Sequence, residues 1–192
     1  MPSATAPVVG LRERSKRQRR QRILEATREL LREDPDRSPS VDRIAARAEV
    51  APATVFNLIG PREEIWAALA NEALAELDVR IAAFPELEPH ERARRIVAAS
   101  VDVCLADARV YRHVLAHWSS SARLLRREPT PGLVACLRDA GTGAIGPEAL
   151  AEVVATACTG ALHQWAGGLI GERRLRARCR LAVDVAFAAA VA

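Results

Sequence analysis

The hydrophobic positions of this 192-residue chain recur at helical spacing along most of its length. The first such face has apolar or small side chains at positions i, i+1, i+4, i+7 and i+8, namely Ile23, Leu24, Thr27, Leu30 and Leu31. Asp34-Pro35 predicts the end of this helix, because the residue before a proline disfavours helical backbone angles. No segment alternates with a period of two residues, so the sequence predicts an all-α protein.

Two short helices and one long helix are predicted next. The first covers residues 41–48, with Ser40 as its N-cap. The second begins at Pro52, a residue that suits a first helical position, and ends near Leu58. Gly60-Pro61 then starts a long helix with apolar residues at every fourth position. Further helical stripes predict helices over residues 93–104, 111–118, 133–140, 150–169 and 172–190.

Residues 40–60 have the spacing of a helix-turn-helix motif, in which two short helices are joined by a tight turn. The buried face of the first helix is predicted to hold Val41, Ile44, Ala45 and Ala48. On the second helix we expect Val55 to be buried, together with either Phe56 or Leu58. The second helix of such a motif can lie in the major groove of DNA, where the base edges are distinguishable.

The side chains of the second short helix suit contact with DNA. Pro52 and Ala53 are small, so that the backbone can approach the duplex closely. Thr54 offers a hydroxyl group to a phosphate and a methyl group to thymine, and Asn57 can pair with adenine through two hydrogen bonds.

The charge of the chain is concentrated before the motif. The whole chain has a formal net charge of +4. Between Leu11 and Ile23, however, seven basic side chains face one acidic side chain, a local charge of +6, so the remainder carries −2. This distribution excludes a uniformly basic protein and predicts a basic arm that attracts phosphates without regard to sequence.

Residues 17–77 resemble the DNA-binding domain of the tetracycline-repressor (TetR) family. The similarity is carried by Ile23-Leu24, Ala26, Leu30-Leu31, Ser40-Val41, Ile44-Ala45, Ala48, Val50, Pro52-Ala53-Thr54-Val55-Phe56 and Arg62-Glu63-Glu64-Ile65. The resemblance implies a homodimeric transcriptional regulator, usually a repressor, that a small-molecule ligand releases from its operator in double-stranded DNA. It also implies that the rest of the chain is a helical domain for ligand binding and dimerisation. The two-fold symmetry of such a dimer predicts a palindromic operator. The four cysteines are widely spaced and form no CxxC pair, which predicts reduced thiols and a cytoplasmic protein.

The resemblance assigns expected roles to individual residues. Ser40 and Thr54 would contact phosphates, and Pro52, Ala53 and Asn57 would face the groove. Arg62 stands where the family has a phosphate-binding lysine, and Arg47 is a further expected contact. The expected DNA-binding set is therefore Ser40, Arg47, Pro52, Ala53, Thr54, Phe56, Asn57 and Arg62, with Arg17, Arg19 and Arg20 from the basic arm.

Four positions depart from the family pattern. Glu49 replaces the usual turn glycine, Ala51 the usual serine cap, and Phe56 the usual tyrosine, while Leu58-Ile59 replaces an aromatic pair. These departures leave an alternative open, in which the chain is a helical binding or adaptor protein that no longer recognises an operator.

The expected organisation has three parts. Residues 1–16 form a disordered basic arm, residues 17–77 the DNA-binding domain with its motif at 40–59, and residues 78–192 the ligand-binding and dimerisation domain. Dimerisation is expected through the last two helices, whose small residues allow close helix packing. The large or polarisable candidates for the ligand pocket are Phe84, Cys104, Tyr111, His113, His117, Trp118 and Trp165.

Other kinds of site are less consistent with the sequence. Gly141–Gly146 has the GxGxxG spacing of a dinucleotide-binding loop, but a helical pattern precedes it where that fold needs a strand, so we interpret it as a turn and expect no cofactor. His113 and His117 have helical i, i+4 spacing without a visible third ligand, so we expect no metal site. No segment is apolar enough for a membrane span and no nucleophile context indicates an enzyme.

Overall fold

A computed structural model describes residues 10–117, 131–141 and 143–191. Over these ranges the chain forms helices and no strand. In chain order they are α1 (Leu11–Glu33), α2 (Val41–Arg47), α3 (Pro52–Leu58), α4 (Arg62–Ala82), α5 (Pro89–Ala106), α6 (Ala108–His117), α7 (Pro131–Ala140), α8 (Pro147–Ala166) and α9 (Glu172–Val191). The predicted all-α class is confirmed.

The chain divides into two compact units, Met1–Ala68 and Leu69–Ala192. The division falls within α4, earlier than the boundary after residue 77 that the sequence predicted. The reason lies in the packing of the second half of α4, where Ala73 and Leu77 are buried in one cluster with Val103 and Tyr111 of the second unit.

In the first unit, α1, α2 and α3 contact one another in all three pairs. Their fully buried side chains include Ile23, Leu24, Leu31, Ile44 and Val55, as the spacing predicted. Val41, which was expected on the buried face of α2, is only half-buried because it is the first residue of that helix. Ser40 caps α2 as expected, since its Oγ accepts a hydrogen bond of 3.3 Å from the backbone N–H of Arg43.

Helix α1 begins earlier than the sequence analysis expected. Residues 11–16, which we placed in a disordered basic arm, are helical and continuous with the rest of α1. The segment contains neither proline nor glycine, and its arginine, lysine, glutamate and leucine residues all favour helix formation. The basic residues therefore lie on a regular helix, whereas residues 1–9 are outside the described ranges.

In the second unit, α8 and α9 pack most extensively, and α5 packs against both α9 and α7. Trp165, Leu137 and Leu175 are fully buried in its core. Among the described helices, none is both long and apolar enough to cross a membrane.

The glycine-rich turn between α7 and α8 is explained by close packing. The N–H of Gly143 donates a 3.0 Å hydrogen bond to the carbonyl of Ala190, near the end of α9. A Cβ atom at Gly141 would lie 2.8 Å from that carbonyl oxygen, and one at Gly143 would lie 2.7 Å from the carbonyl oxygen of Ala189. A helix, α7, precedes the turn, so the context of a dinucleotide-binding loop is absent from this described segment.

Candidate functional site

Helix α3 packs against α1 and α2 with one face and exposes the opposite face to solvent. Val55 is fully buried, whereas Pro52, Ala53 and Asn57 are exposed. Phe56 is 53% exposed, an unusual position for a large aromatic ring. Thr54 and Leu58 are half-buried, so of the two alternatives for a second buried position Leu58 is the better one. The exposed face therefore carries Pro52, Ala53 and Asn57, for which the sequence analysis expects contact with the groove.

The turn between α2 and α3 contains a backbone conformation that L-amino acids disfavour. Glu49 has φ of 52°, in the left-handed region, where the side chain carries a cost of about 1–2 kcal/mol. Arg22 of α1 binds this turn: its guanidinium donates hydrogen bonds to the carbonyl oxygens of Ala48 and Glu49, the latter at 3.2 Å. The same group lies 3.6 Å from the Glu49 carboxylate. The contacts of Arg22 thus fix the turn that positions α3.

Sequence reasoning counted Arg22 only as one more charge in the basic arm. Its partners are two backbone carbonyl groups 26 and 27 residues away in the chain, which no local periodicity reveals. The one available signal was the combination of a non-glycine turn residue with an arginine just before the first buried position of α1.

Arg47 has a different environment from the one expected of a phosphate contact. Its guanidinium donates hydrogen bonds of 2.8 and 3.0 Å to the two carboxylate oxygens of Glu33, and one of 3.1 Å to Glu29. The hydrogen bond from Arg47 holds the pKa of Glu33 below its ordinary value. Arg47 therefore joins α2 to α1, and we leave it out of the DNA contacts proposed below.

The basic segment of α1 is well exposed. Arg17 and Arg19 are exposed and Arg20 is half-buried. Arg62, the first residue of α4, is also exposed. All four side chains therefore have guanidinium groups within reach of solvent anions. Ala51 caps α3 without a side-chain hydrogen bond, as the absence of its hydroxyl predicts.

The described candidates for the ligand pocket lie in the second unit, where they form three separate groups. Phe84, Cys104 and Tyr111 belong to one apolar cluster. Burial raises the pKa of the Cys104 thiol to about 12, so this group is protonated at neutral pH. His113 is buried, and its ring stacks on that of His117 with centroids 4.1 Å apart.

The third group consists of Trp165, whose indole nitrogen is a buried hydrogen-bond donor. The side chain is fully buried, and within the described ranges no group accepts a hydrogen bond from its indole Nε1–H. The guanidinium of Arg112 lies 4.5 Å from the centre of its ring, a cation–π contact that the sequence analysis did not foresee. Trp118, the remaining nominated residue, lies outside the described residues.

The histidine pair does not extend to a metal site in the described part of the chain. No group of three or more potential ligands occurs there. The Nδ1 atom of His117 lies 2.9 Å from the carbonyl oxygen of His113, so one ring nitrogen already has a partner on its own helix.

The last two helices present apolar side chains to solvent. Val153 of α8 is 59% exposed, and Leu181 and Val185 of α9 are 60% and 57% exposed. Thr156, Ala157 and Gly160 continue the exposed surface of α8 with small residues. Three apolar side chains on adjacent packed helices form a surface that association with another molecule can cover.

Solved structures of other proteins are similar to this chain, although its sequence matches no family model. No protein-family model matches the chain, and no curated protein matches it. Among solved structures, a TetR-like transcriptional regulator from Rhodococcus sp. RHA1 is similar with a TM-score of 0.57 and 20% identity, covering 88% of this chain and 96% of that one. The chain has a TetR-like fold.

A second TetR-like structure supports the same fold. This candidate TetR-family transcriptional regulator, from Mesorhizobium loti MAFF303099, has a TM-score of 0.50 and 14% identity, with 90% of this chain and 96% of that chain covered. Each similarity covers about nine-tenths of this chain, which is more than either unit alone contains, so the TetR-like fold extends over parts of both units.

Proposed function

We propose that this chain is a homodimeric, sequence-specific DNA-binding transcriptional regulator. It acts as a repressor that a small molecule releases from a palindromic operator. The observation that carries the proposal is the exposed face of α3, which presents Asn57 beside Phe56 while Val55 anchors the opposite side. A helix that is anchored in this way inside a helix-turn-helix motif can enter the major groove.

The proposed DNA contacts are of three kinds, according to the part of the DNA that each residue binds. Asn57 pairs with a base edge, preferentially adenine, and Pro52 and Ala53 let the backbone approach. Ser40, Thr54 and Arg62 bind phosphates and set the register on the duplex. Arg17, Arg19 and Arg20 add attraction that is independent of sequence. These three arginines lie on the N-terminal half of α1, outside the helix-turn-helix motif.

The proposed effector site lies in the second unit at Trp165. A buried N–H group without an acceptor is costly, because it has lost its hydrogen bonds to water. A ligand with an acceptor oxygen would satisfy the indole Nε1–H, and the adjacent Arg112 guanidinium favours negative charge on that ligand. Under this proposal the effector is an oxygen-rich or anionic molecule.

The proposed dimer forms through the exposed surfaces of α8 and α9. Burying Val153, Leu181 and Val185 removes apolar area from water, and the small residues of α8 allow close approach. A two-fold axis between protomers has a use for this function, since a palindromic operator has half-sites about 34 Å apart or a multiple of that distance.

Fluorescence anisotropy tests the proposal with a labelled duplex from upstream of the chain's own gene and a shuffled duplex of equal composition. We expect the natural duplex to bind more tightly, and Asn57→Ala to reduce its affinity by about 10- to 100-fold, the equivalent of one bidentate base contact. Asp42→Asn, on the exposed side of α2, is the control.

Equal affinity for both duplexes would favour the adaptor alternative, in which the motif no longer recognises a sequence. An effect of Asn57→Ala no larger than that of the control would remove α3 as the specific contact even if the protein bound DNA.

A further inference from the structure

An arginine-lined groove lies between α5 and α9 in the second unit, away from the Trp165 site. Its volume is about 280 Å³. Four guanidinium groups line it: Arg94 and Arg95 from α5, and Arg176 and Arg180 from α9. Its apolar wall includes Val97 and Val101. A groove with four cations and an apolar wall has the chemistry to hold an anion that carries a hydrocarbon part.

A second cavity of about 420 Å³ adjoins the groove. Arg95 and Ala98 line both cavities, so the two are adjacent on either side of these residues. The second cavity adds the half-buried ring of Phe84 to the apolar surface. The second cavity is also lined by Arg80 and Asp102, so four of the five arginines of the two cavities line the first one and Phe84 lines the second.

Toward the described residues, these four arginines use only a few of their hydrogen-bond donors. The Nε–H of Arg94 donates a hydrogen bond of 2.7 Å to Asp184, and the Nε–H of Arg95 donates one of 3.4 Å to Glu91. Arg176 uses one terminal nitrogen, at 2.5 Å to Asp102, and the Nε of Arg180 is 4.0 Å from Asp184. Each guanidinium has five N–H donors in a fixed planar arrangement, so several remain available to an incoming anion.

The balance of charge also favours an anion. The four guanidinium groups of the first cavity face the three carboxylates that contact them, which leaves a net positive charge of one unit. Two of the arginines, Arg94 and Arg176, join α5 to α9 through their carboxylates. Arg95 and Arg180 contact their carboxylates only within their own helices and are half or more exposed.

We propose that this groove is a binding site for a small amphipathic anion, a carboxylate at the end of a short hydrocarbon chain. The carboxylate lies between Arg95 and Arg180, and the hydrocarbon lies along Val97, Val101 and Ala98 toward Phe84. This site is separate from the proposed regulatory function, and its occupancy does not require DNA.

Isothermal titration calorimetry of the full chain without DNA tests the site with octanoate and, as a neutral match of equal length, octan-1-ol. We expect octanoate to bind at least about tenfold more tightly than octan-1-ol, because the carboxylate forms charge-assisted hydrogen bonds. Arg95→Gln/Arg180→Gln should weaken octanoate binding by about tenfold and leave octan-1-ol binding unchanged.

The matched control is Arg173→Gln/Arg174→Gln, which removes the same charge from exposed positions at the start of α9 outside the groove. It should leave octanoate binding unchanged. If the paired variant does not fold, as judged by circular dichroism, Arg95→Gln alone serves, since this side chain has a single contact of 3.4 Å on its own helix. Equal binding of octanoate and octan-1-ol, or equal losses in the paired variant and the control, would overturn the proposal.

Discussion

Glu49 is a residue whose backbone conformation opposes its side chain. At φ of 52° a glycine is free of the steric cost that any Cβ atom brings. The chain tolerates glutamate there because Arg22 binds the carbonyl groups of Ala48 and Glu49 and also lies near the Glu49 carboxylate. Replacing Glu49 by glycine therefore has two opposite effects on stability: it removes the contact between the carboxylate and Arg22, and it relieves the backbone strain.

Glu49→Gly is expected to raise the free energy of unfolding, by about 0.5–1 kcal/mol, because relief of the left-handed strain exceeds the added entropy of glycine in the unfolded chain. Glu49→Ala serves as its control, since alanine loses the carboxylate but keeps the Cβ atom. Urea denaturation of both variants measures the difference. A glycine variant less stable than the alanine variant would show that the turn is not strained.

Phe56 has an aromatic ring without a hydroxyl group at an exposed position of α3. Its ring is 53% exposed on the face of α3 proposed to meet DNA, and it stands where the TetR family has a tyrosine. Phe56→Tyr should tighten DNA binding by about fivefold, as one added hydrogen bond to a phosphate would. Phe56→Leu, which adds no hydroxyl group, is the control in the same anisotropy assay. No gain from tyrosine would place this ring away from the backbone of the duplex.

Helix α1 has two halves of different character in one continuous helix. Its C-terminal half, from Ile23 onward, holds the buried residues of the first unit, and its N-terminal half carries the basic side chains. Arg17→Gln/Arg19→Gln/Arg20→Gln should weaken binding to all duplexes alike and flatten the dependence of log affinity on log salt concentration by about two to three units. An unchanged salt slope would exclude contact between this half of α1 and phosphates.

Helices α5 and α9 are joined by a carboxylate whose ionisation is testable. Asp184 accepts hydrogen bonds from Arg94 at 2.7 Å and pairs with His90 at 2.9 Å. The hydrogen bond from Arg94 chiefly holds the pKa of Asp184 below its ordinary value of 3.8. Because its pKa is lowered in the folded state, the ionised carboxylate stabilises that state at pH values above the ordinary pKa. This stabilisation is lost as the pH falls through the lowered pKa.

Asp184→Asn should therefore lower Tm by a few degrees at pH 7, with the difference from the unmodified chain shrinking as the pH falls below 3.8. Thermal melts followed by circular dichroism across that range measure it. Glu172→Gln, at the exposed start of α9, is the control. A Tm difference that stayed constant with pH would assign the loss to packing instead of charge.

The sequence predicted features that depend on local spacing and missed those that depend on distant partners. The buried stripe of α1, the Ser40 cap and Pro52 at the start of α3 follow from residue types a few positions apart. The contacts of Arg22 and Arg47 do not, because their partners lie at least 14 residues away. The start of α1 was missed because a high charge density resembles disorder, although those residues have good helix propensity.

For the whole molecule, the proposed dimer interface on α8 and α9 can be tested with one substitution. Leu181→Arg places a charge on the exposed apolar surface, and we expect it to convert a dimer of about 42 kDa, twice the 20.8 kDa chain, into monomers. Light scattering coupled to size-exclusion chromatography measures the mass. Arg173→Gln is the control, and a dimeric Leu181→Arg variant would place the interface elsewhere.

The central claim is that a dimer of this chain recognises a specific palindrome through α3. Selection of binding sequences from a random duplex library tests it most directly, since no operator has to be assumed. We predict an enriched palindromic sequence whose half-sites are separated by one helical turn or a multiple, and whose preferred base at one symmetric position is lost with Asn57→Ala. A library that shows no enriched sequence after selection would contradict the claim.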